Sequence, residues 1–543
     1  MQQENLIFRK QQMQHHRRIA VCVYTTNAAQ TIRAVEISKA ILLLGQNTCK
    51  PINEITENDK IVEKISSTNS NTDDFSNLTL RFFTYRGCLP GHSKRKVDYE
   101  HCIREAGFEI EYFGRVERGN YTKAFLSGNS DRNENPTVNS TCKQNYFSAA
   151  VLDDEMWSAF LLAERTHQGL FPPPYDIRAA DYLQAIIKTL SDFNPNVVLF
   201  GLFPEVAVAS KIRGWKTVSF APMPIYCRDW MKKRISANPK EITTKKNGNP
   251  WEVLEKAGKE CGLNVPPSSN FIESIRPSHT IVCDFERFYR NDALPPDVTV
   301  VGPVISSSPT NQVSITNDIY PTLAYPTKSL TEIEMFLQRE CPIVTDGHQL
   351  STKREPPIRV FLTMGSTGDS KYFVEALGAI VYSKPGTFQA IVSVPSVLHD
   401  SNDVNSILAA ASSSNGIFIE RNFVPALSIM KHVDVVLCHG GQSTLQSAIA
   451  AGTPIVGTFN QTEQRFNLKN VEKLQLGICI DPENWKENAI RDALLKVGRY
   501  HSESYSCSNP YKESAMKMKL DFEAKKRSAL EQAAKIVLRF AFS

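Results

Sequence analysis

The sequence lacks long apolar runs, closely paired cysteines and a marked excess of one charge, and each absence excludes a class of protein. The longest apolar stretches, such as residues 196–209, fall short of the roughly 20 residues that a membrane-spanning helix needs. The twelve cysteines include no C-x-x-C pair that would indicate a zinc ribbon or a dithiol redox site. A net charge of +5 on 543 residues gives no reason to expect nucleic acid or an anionic membrane as a partner.

The amino terminus also lacks a targeting signal. Its first eighteen residues are polar and basic, without the apolar core of a signal peptide. Several cysteines stand singly inside apolar, strand-like runs, as expected of reduced thiols in a protein interior. The sequence therefore predicts a soluble, cytoplasmic protein without a transmembrane segment, and it leaves the oligomeric state open.

What is present is globular: 41% of the residues are hydrophobic, with 26 glycines and 30 prolines. Short β-rich apolar runs alternate with segments of helical period, which is typical of an α/β protein with parallel sheets. This alternation occurs twice, so we predict two Rossmann-like domains that face each other across a cleft. The predicted parts are a tail at 1–17, an N-terminal domain at 18–304 with polar inserts near 46–80 and 119–144, a linker at 305–357, a C-terminal domain at 358–525 and a C-terminal helix at 526–543.

The strongest chemical signal is the turn His439-Gly440-Gly441. It ends a buried strand and opens a helix that begins near Ser443. Two glycines let the backbone approach a ligand, and the free N–H groups at a helix start suit phosphate oxygens. Ser443 and Thr444 add hydroxyl groups, and a second turn, Gly365-Ser366-Thr367, follows its own strand and is expected to face the same anion.

Further motifs follow at fixed offsets and support a family resemblance. They are Phe423-Val424-Pro425, Gly452-x-Pro454 and Glu463-Gln464-x-x-Asn467, with Val301-Gly302-Pro303 at the end of the first half. Together with the turn at His439, they resemble the donor-site signature of the family 1 glycosyltransferases, and the macrolide-glycosyltransferase branch in particular. The resemblance implies the GT-B fold and a nucleotide-diphosphate sugar, with a UDP-sugar as the expected donor.

The resemblance also implies a role for each matching residue. The diphosphate is expected at the glycine turns, the base on Phe423 with the Val424 backbone, and the sugar hydroxyls on Glu463 and Gln464. The ribose position of the family falls on Ser447, a hydroxyl in place of a glutamate. The full donor-binding prediction comprises Ser366, Phe423, Val424, His439, Gly440, Gly441, Ser443, Thr444, Ser447, Glu463 and Gln464.

The catalytic position departs from the family. Counting back from Gly45, taken as the end of the first helix, places Gln30 where the family has its general-base histidine, and Asn27 is the other polar candidate in that turn. An amide cannot accept a proton at neutral pH. Other N-terminal candidates for the base are His92, His101, His167, Asp153, Asp154 and Asp181, with His15 and His16 in the tail, and a pre-ionised acceptor would need no base.

The sequence thus predicts an inverting, metal-independent hexosyltransferase that moves a sugar from a nucleotide-diphosphate sugar to a small lipophilic or phenolic acceptor, without a cofactor and without nucleic acid. The main alternative is a non-catalytic relative that binds nucleotide sugar or acceptor without turnover. A third reading is another GT-B enzyme, such as a sugar-nucleotide epimerase or a lipid-linked amino-sugar transferase. The donor sugar and the acceptor are not identified at this stage.

Overall fold

The protein was analysed as a computed structural model. It describes residues 16–23, 28–47, 78–84, 99–113, 179–227, 230, 250–265, 271–290, 293–305, 330–338, 356–365, 369–395, 398–414, 416–421, 424–499 and 509–543. Most of both predicted polar inserts, together with all but the end of the predicted tail, lies outside these ranges.

The first half forms a parallel sheet of seven described strands in the order β3-β2-β1-β4-β5-β6-β7. Its strands are short and apolar because they are covered on both faces, as in β4, where all four residues are buried. The strands are β1 (Arg17–Cys22), β2 (Leu78–Thr84), β3 (Ile110–Tyr112), β4 (Val197–Phe200), β5 (Lys216–Ala221), β6 (His279–Val282) and β7 (Val298–Val300).

Helices connect these strands and pack on the sheet. α4 starts with a proline at its first position and stops at Gly214, whose φ of 69° lies in the left-handed region that glycine adopts readily. The described helices of this half are α1 (Ala28–Asn47), α2 (Glu100–Glu105), α3 (Ala179–Phe193), α4 (Pro204–Arg213), α5 (Pro250–Glu260) and α6 (Phe271–Ser274).

The second half repeats the architecture, with six described parallel strands in the order β10-β9-β8-β11-β12-β13. In both sheets the strand order reverses beside the first strand, between β1 and β4 and between β8 and β11. The strands are β8 (Ile358–Thr363), β9 (Phe388–Ser393), β10 (Ile417–Glu420), β11 (Val435–Cys438), β12 (Ile455–Gly457) and β13 (Gly477–Cys479). This is the predicted pair of Rossmann-like domains, so the fold class is confirmed.

The helices of the second half are capped by local sequence. Asp369 accepts hydrogen bonds from the N–H groups of Lys371 and Tyr372 at the start of α8. The described helices are α7 (Leu330–Gln338), α8 (Ser370–Val381), α9 (Asn402–Ser412), α10 (Ala426–Met430), α11 (Gln442–Ala451), α12 (Thr462–Lys473), α13 (Glu487–Gly498) and α14 (Pro510–Phe542).

Two helices extend beyond what the sequence pattern predicted. α7 lies inside the range assigned to the linker, and it packs on the second sheet, where Gln389 Nε2 donates to the Phe336 carbonyl at 2.7 Å. α14 has 33 residues and begins well before the predicted start at residue 526. Its early residues, among them Met518, pack with C-terminal core residues, whereas Ala533 and Val537 join the core of the first sheet.

The carboxyl ends of the two sheets face each other. Phe466 on α12 of the second domain contacts an aromatic group of the first domain, with ring centroids 5.5 Å from Trp230 and 5.2 Å from Tyr289. Ligands of open α/β sheets bind beyond the carboxyl ends of the strands, at the point where the strand order reverses. We therefore expect the ligand site at the junction between the domains.

Candidate functional site

The two glycine turns of the second domain meet at its reversal point. Gly365 follows β8, and His439 follows the neighbouring strand β11. The turns touch, because a Cβ atom added to Gly365 would overlap the His439 ring. On the other side, a Cβ on Gly441 would lie 2.7 Å from His439 Nε2. The ring is therefore held between two backbone segments that tolerate no side chain.

Gly440 serves a different purpose in the same turn. Its φ of 80° lies in the left-handed region, and a Cβ there would lie 2.7 Å from Leu468 Cδ1. Leu468 belongs to α12, the helix that carries Glu463. Glycine at this position thus lets α12 pack directly on the turn, which brings the predicted phosphate and sugar groups together.

The amino terminus of α11 opens at this turn. Gly441 is the N-cap and provides no side-chain hydrogen bond. The Gln442 N–H group donates to Glu463 Oε1 at 3.0 Å. The next N–H groups, of Ser443 and Thr444, have no carbonyl partner within the helix, since the first four donors of any helix lack one. Ser443 is exposed and Thr444 is half-buried, so this helix start can receive an anion.

His439 is neutral in this environment. It is buried, and desolvation lowers the pKa of its imidazole to about 4. A neutral ring offers one N–H donor and one acceptor. Among the described residues, its Nδ1 atom has no hydrogen-bond partner. A buried polar atom without a partner is costly, which indicates a site that a ligand or a water molecule completes.

Glu463 and Gln464 begin α12 beside this turn. Glu463 Oε1 accepts from Asn467 Nδ2 at 2.7 Å as well as from the Gln442 N–H group. Gln464 is buried, and its amide is engaged with the preceding loop: Oε1 accepts from the Asn460 N–H group at 3.0 Å and Nε2 donates to Gln461 Oε1 at 3.0 Å. The paired carboxylate and amide are thus held in place, and their contact with a sugar stays a prediction.

A buried polar network crosses the junction from α11. Gln442 Nε2 donates to the Pro222 carbonyl at 3.1 Å, and Gln446 Nε2 donates to the Cys283 carbonyl at 2.7 Å. Both carbonyls follow strands of the first sheet, β5 and β6. Gln446 Oε1 in turn accepts from Arg33 Nη2 on α1 at 3.3 Å. Two glutamines that the sequence pattern did not single out therefore connect the domains.

Charged groups accompany these amides. Asp284 follows β6, is 1% exposed, and accepts from the Phe285 N–H group at 2.8 Å and from Gln446 Nε2 at 3.3 Å. Desolvation raises the pKa of Asp284 to about 6. Desolvation likewise raises the pKa of Glu463 to about 7, and the neighbouring Asp284 contributes to that rise. Arg33 is 3% exposed and opposes both shifts.

The first domain places Gln30 inside a helix. α1 starts at Ala28, so Gln30 lies in its first turn rather than in the preceding loop, and Oε1 accepts from the Leu202 N–H group at 3.4 Å. The same helix continues through Gly45 to Asn47, so the prediction that Gly45 ends it was wrong. Counting back from Gly45 therefore no longer fixes which residue holds the catalytic position.

The structure also places several other predicted residues, and the remaining ones lie outside the described ranges. Val424 is buried, and Ser447 is half-buried on α11. His16 bonds Thr79 Oγ1 at 2.7 Å at the amino ends of the strands, the end opposite the junction. His101 is on α2 and Asp181 on α3. Outside the described residues are Asn27, Ser366, Phe423, His15, His92, Asp153, Asp154 and His167.

The described part of the chain contains neither a metal-binding cluster nor a membrane-spanning helix. No group of three or more His, Cys, Asp or Glu side chains there has the arrangement of a metal site. No described helix has both the length and the apolar character that crossing a bilayer requires. The predicted independence from metal stays a prediction.

Comparison with known proteins adds to this geometry. Residues 360–527 match the model described as the glycosyltransferase family 28 C-terminal domain. The chain is also 25% identical over 138 residues to the PGL/p-HBAD biosynthesis rhamnosyltransferase of Mycobacterium bovis. This alignment covers 25% of this chain and 28% of that protein. The alignment thus spans about a quarter of that relative. The resemblance to glycosyltransferases is confirmed, although the matching model is that of family 28 rather than family 1.

Solved structures extend the likeness to the whole chain at the level of fold. The glycotransferase of kitacinnamycin has a TM-score of 0.53 at 14% identity, over 97% of this chain and 99% of that one. The glycosyltransferase VinC, solved in complex with dTDP, has a TM-score of 0.51 at 12% identity, over 97% and 99%. The GT-B fold predicted from the sequence is confirmed.

Proposed function

We propose that this protein transfers a sugar from a nucleotide-diphosphate sugar to an acceptor hydroxyl, with the diphosphate bound at the start of α11. The observation that carries the proposal is the turn at His439, where a helix start without a side-chain cap lies beside a buried imidazole whose Nδ1 atom has no described partner. The structure of VinC with dTDP supports a nucleoside diphosphate as the ligand of this fold. The donor is a UDP-sugar or a dTDP-sugar.

The proposed reaction is a single in-line displacement with inversion. The acceptor oxygen forms a bond to the anomeric carbon, and the bond from that carbon to the diphosphate oxygen breaks. The nucleoside diphosphate leaves with the electron pair, and the acceptor proton goes to a base or to solvent. The N–H groups of Ser443 and Thr444 and the neutral His439 ring stabilise the charge that develops on the leaving diphosphate. No metal ion takes part in this scheme.

The acceptor class follows from the motif resemblance, and the compartment from cysteines that stand singly in apolar runs, as reduced thiols do. We infer a small lipophilic or phenolic acceptor and a cytoplasmic enzyme. If Gln30 holds the catalytic position, a phenol is a suitable acceptor, because a phenol that is already ionised needs no protein base. An amide such as Gln30 accepts a hydrogen bond but not a proton at neutral pH.

Thermal-shift measurements with UDP, dTDP, UDP-glucose and dTDP-glucose test the donor site. A ligand at 100 times its Kd stabilises the fold by about 2.7 kcal/mol, which produces a measurable rise in Tm. We expect one nucleotide series to stabilise the protein, and product formation with a panel of phenols in the same series. No stabilisation by any of the four nucleotides contradicts the proposed donor site.

One observation favours a second function, the binding of nucleotide sugar without turnover. The Gln30 amide, in the first turn of α1, is already engaged by the Leu202 N–H group. If the protein only binds nucleotide sugar, a nucleotide raises the Tm but no glycoside forms with any acceptor. Hydrolysis of the donor is then also absent.

A further inference from the structure

The domain junction buries one cation with two acids. Arg33 on α1 and Asp284 after β6 belong to the first domain, and Glu463 on α12 belongs to the second. Gln446 on α11 accepts from Arg33 Nη2 and donates to Asp284 Oδ1, and the Gln442 N–H group, one helical turn earlier, donates to Glu463 Oε1. The three charged groups therefore cluster around the start of α11. Isolated charges are strongly disfavoured in such a place, which makes the cation decisive for the state of the acids.

The hydrogen bonds of Glu463 fix its position without bringing a positive charge to it. Its Oε1 atom is fixed by two neutral donors of its own domain, the Gln442 N–H group and Asn467 Nδ2. Asn467 also donates to the Gly440 carbonyl at 3.0 Å, which ties this arrangement to the glycine turn. None of these donors brings a positive charge. The cation of this cluster belongs to the other domain: Arg33 is held on α11 through Gln446, on the helix whose first N–H group holds Glu463.

We propose that Arg33 is a positioning residue for the donor sugar: it lets the two domains close over Glu463 while that carboxylate stays ionised and able to accept sugar hydroxyl groups. The inference rests on the proposed function, since it assumes that Glu463 meets the donor sugar. It adds a residue of the acceptor-side domain, 430 positions away in sequence, to the recognition of the donor.

The arrangement of Arg33 fits this role. Arg33 Nη2 is held by Gln446 Oε1, and Gln446 is held by the Cys283 carbonyl and by Asp284. Arg33 Nε has no partner among the described residues, so the guanidinium is not fully used by the protein. An ionised carboxylate accepts stronger hydrogen bonds from hydroxyl groups than a protonated one. A buried guanidinium nearby favours that ionised form.

The described titratable groups that influence the pKa of Arg33 and Glu463 come from both domains. Arg33 and Asp284 face Glu463, and Cys283 and Tyr289 also face Arg33. Burial raises the pKa of the Cys283 thiol to about 12, so it stays neutral near pH 7. With the pKa of Glu463 at about 7, donor-sugar affinity is expected to rise as the pH increases through neutrality.

The test measures affinity against pH for a nucleotide and its sugar conjugate. UDP with UDP-glucose, or dTDP with dTDP-glucose, is titrated by calorimetry from pH 5.5 to 8.5, using the pair that stabilises the wild-type protein. In Arg33→Gln we expect the midpoint for the sugar conjugate to move up by about one pH unit, and its affinity at pH 7 to fall roughly fivefold. The free nucleotide should bind Arg33→Gln as it binds the wild-type protein at every pH.

A second variant moves the midpoint in the opposite direction and covers the case in which Arg33→Gln does not fold. Asp284→Asn keeps an acceptor for Gln446 but removes the competing carboxylate, so the midpoint should move to lower pH. Glu463→Gln should remove the midpoint near neutrality. Arg213→Gln, which removes an exposed guanidinium at the end of α4, is the matched control and should leave the midpoint unchanged.

The outcomes separate the two proposals. Opposite shifts in Arg33→Gln and Asp284→Asn, confined to the sugar conjugate, support the positioning role. Wild-type midpoints in both folded variants, or an equal loss for nucleotide and conjugate, overturn that role while the donor site stands. If no nucleotide binds the wild-type protein at any pH, the proposed function fails and the positioning role fails with it.

Discussion

The two sheets reverse their strand order at the same topological point, yet their chemistry there differs. In the second domain, the turn after β11 leaves the buried His439 Nδ1 atom without a described partner, and the N–H groups of Ser443 and Thr444 without a carbonyl partner within α11. In the first domain, Gln30 near the end of β1 has its amide engaged by the Leu202 N–H group after β4. The reversal point of the second domain keeps a hydrogen-bonding group without a described partner, whereas that of the first uses the Gln30 amide in a contact within the protein.

This difference separates binding from chemistry. The second domain has the groups that we propose to hold an anion, whereas the Gln30 amide in the first accepts a hydrogen bond but not a proton at neutral pH. A fold that repeats its architecture has therefore specialised its two halves, and substitutions at equivalent points should have different consequences. At the glycine turn of the second domain they should change ligand affinity, and at Gln30 of the first domain they should change turnover.

The largest effect is expected from Gly440→Ala. The left-handed φ costs a side chain about 1–2 kcal/mol, and the contact with Leu468 adds an overpacking cost of about 1–3 kcal/mol. We expect a loss of about 3 kcal/mol in the free energy of unfolding, with nucleotide binding lost. Gly386→Ala is the matched control, since its φ of 82° is similar but no atom lies within 4 Å of the added Cβ. Denaturant unfolding that gives equal losses for both variants contradicts the packing role.

His439→Ala should have the next largest effect, on the ligand rather than on the fold. A hydrogen bond to a charged group contributes about 1.5–3 kcal/mol, so the Kd for UDP or dTDP should rise about 10- to 100-fold. The Kd for uridine or thymidine should not change. His432→Ala removes an exposed imidazole seven residues earlier and serves as the control. An equal loss for nucleoside and diphosphate, measured by calorimetry, would exclude the phosphate role.

Gln30→His should have the smallest effect and makes the first domain more like an acid–base site. The imidazole keeps an acceptor for the Leu202 N–H group and adds a group that titrates near neutrality. A placed base contributes up to 10²–10⁴-fold, and in a position not shaped for histidine we expect a gain in turnover of only about tenfold. Turnover is measured by chromatography of the product. Unchanged turnover in a folded variant would place the base elsewhere.

Much of the donor side was predictable because its signals are local. His439, Gly440 and Gly441 follow an apolar run that reads as a buried strand, and Ser443 begins a segment of helical period. The structure places each in the predicted turn, after β11 and at the start of α11. The roles of these residues in binding stay predictions, but their position relative to one another was given by spacing alone.

The junction was not predictable, because its partners are far apart in sequence. Arg33 and Asp284 lie on elements that no local pattern brings together, and Gln446 joins them only after both domains have folded. The available signal was indirect: an arginine between Ile32 and Ala34 on α1, and an aspartate shortly after a buried strand. Gly45 shows the opposite error, since a glycine that is typical of a helix end lies here inside the helix.

The long helix α14 has a mechanical consequence. At its start, Lys512 Nζ donates to the Gly452 carbonyl of the second domain at 2.8 Å, and at its end Ser543 Oγ accepts from Lys216 Nζ of the first at 3.1 Å. The chain thus crosses between the domains twice, once after residue 305 and once along a helix about 50 Å long. Because α14 packs on both domains, the domains cannot separate unless this helix bends or leaves one of its two packing surfaces. The opening of the junction and the docking of the last helix are therefore coupled.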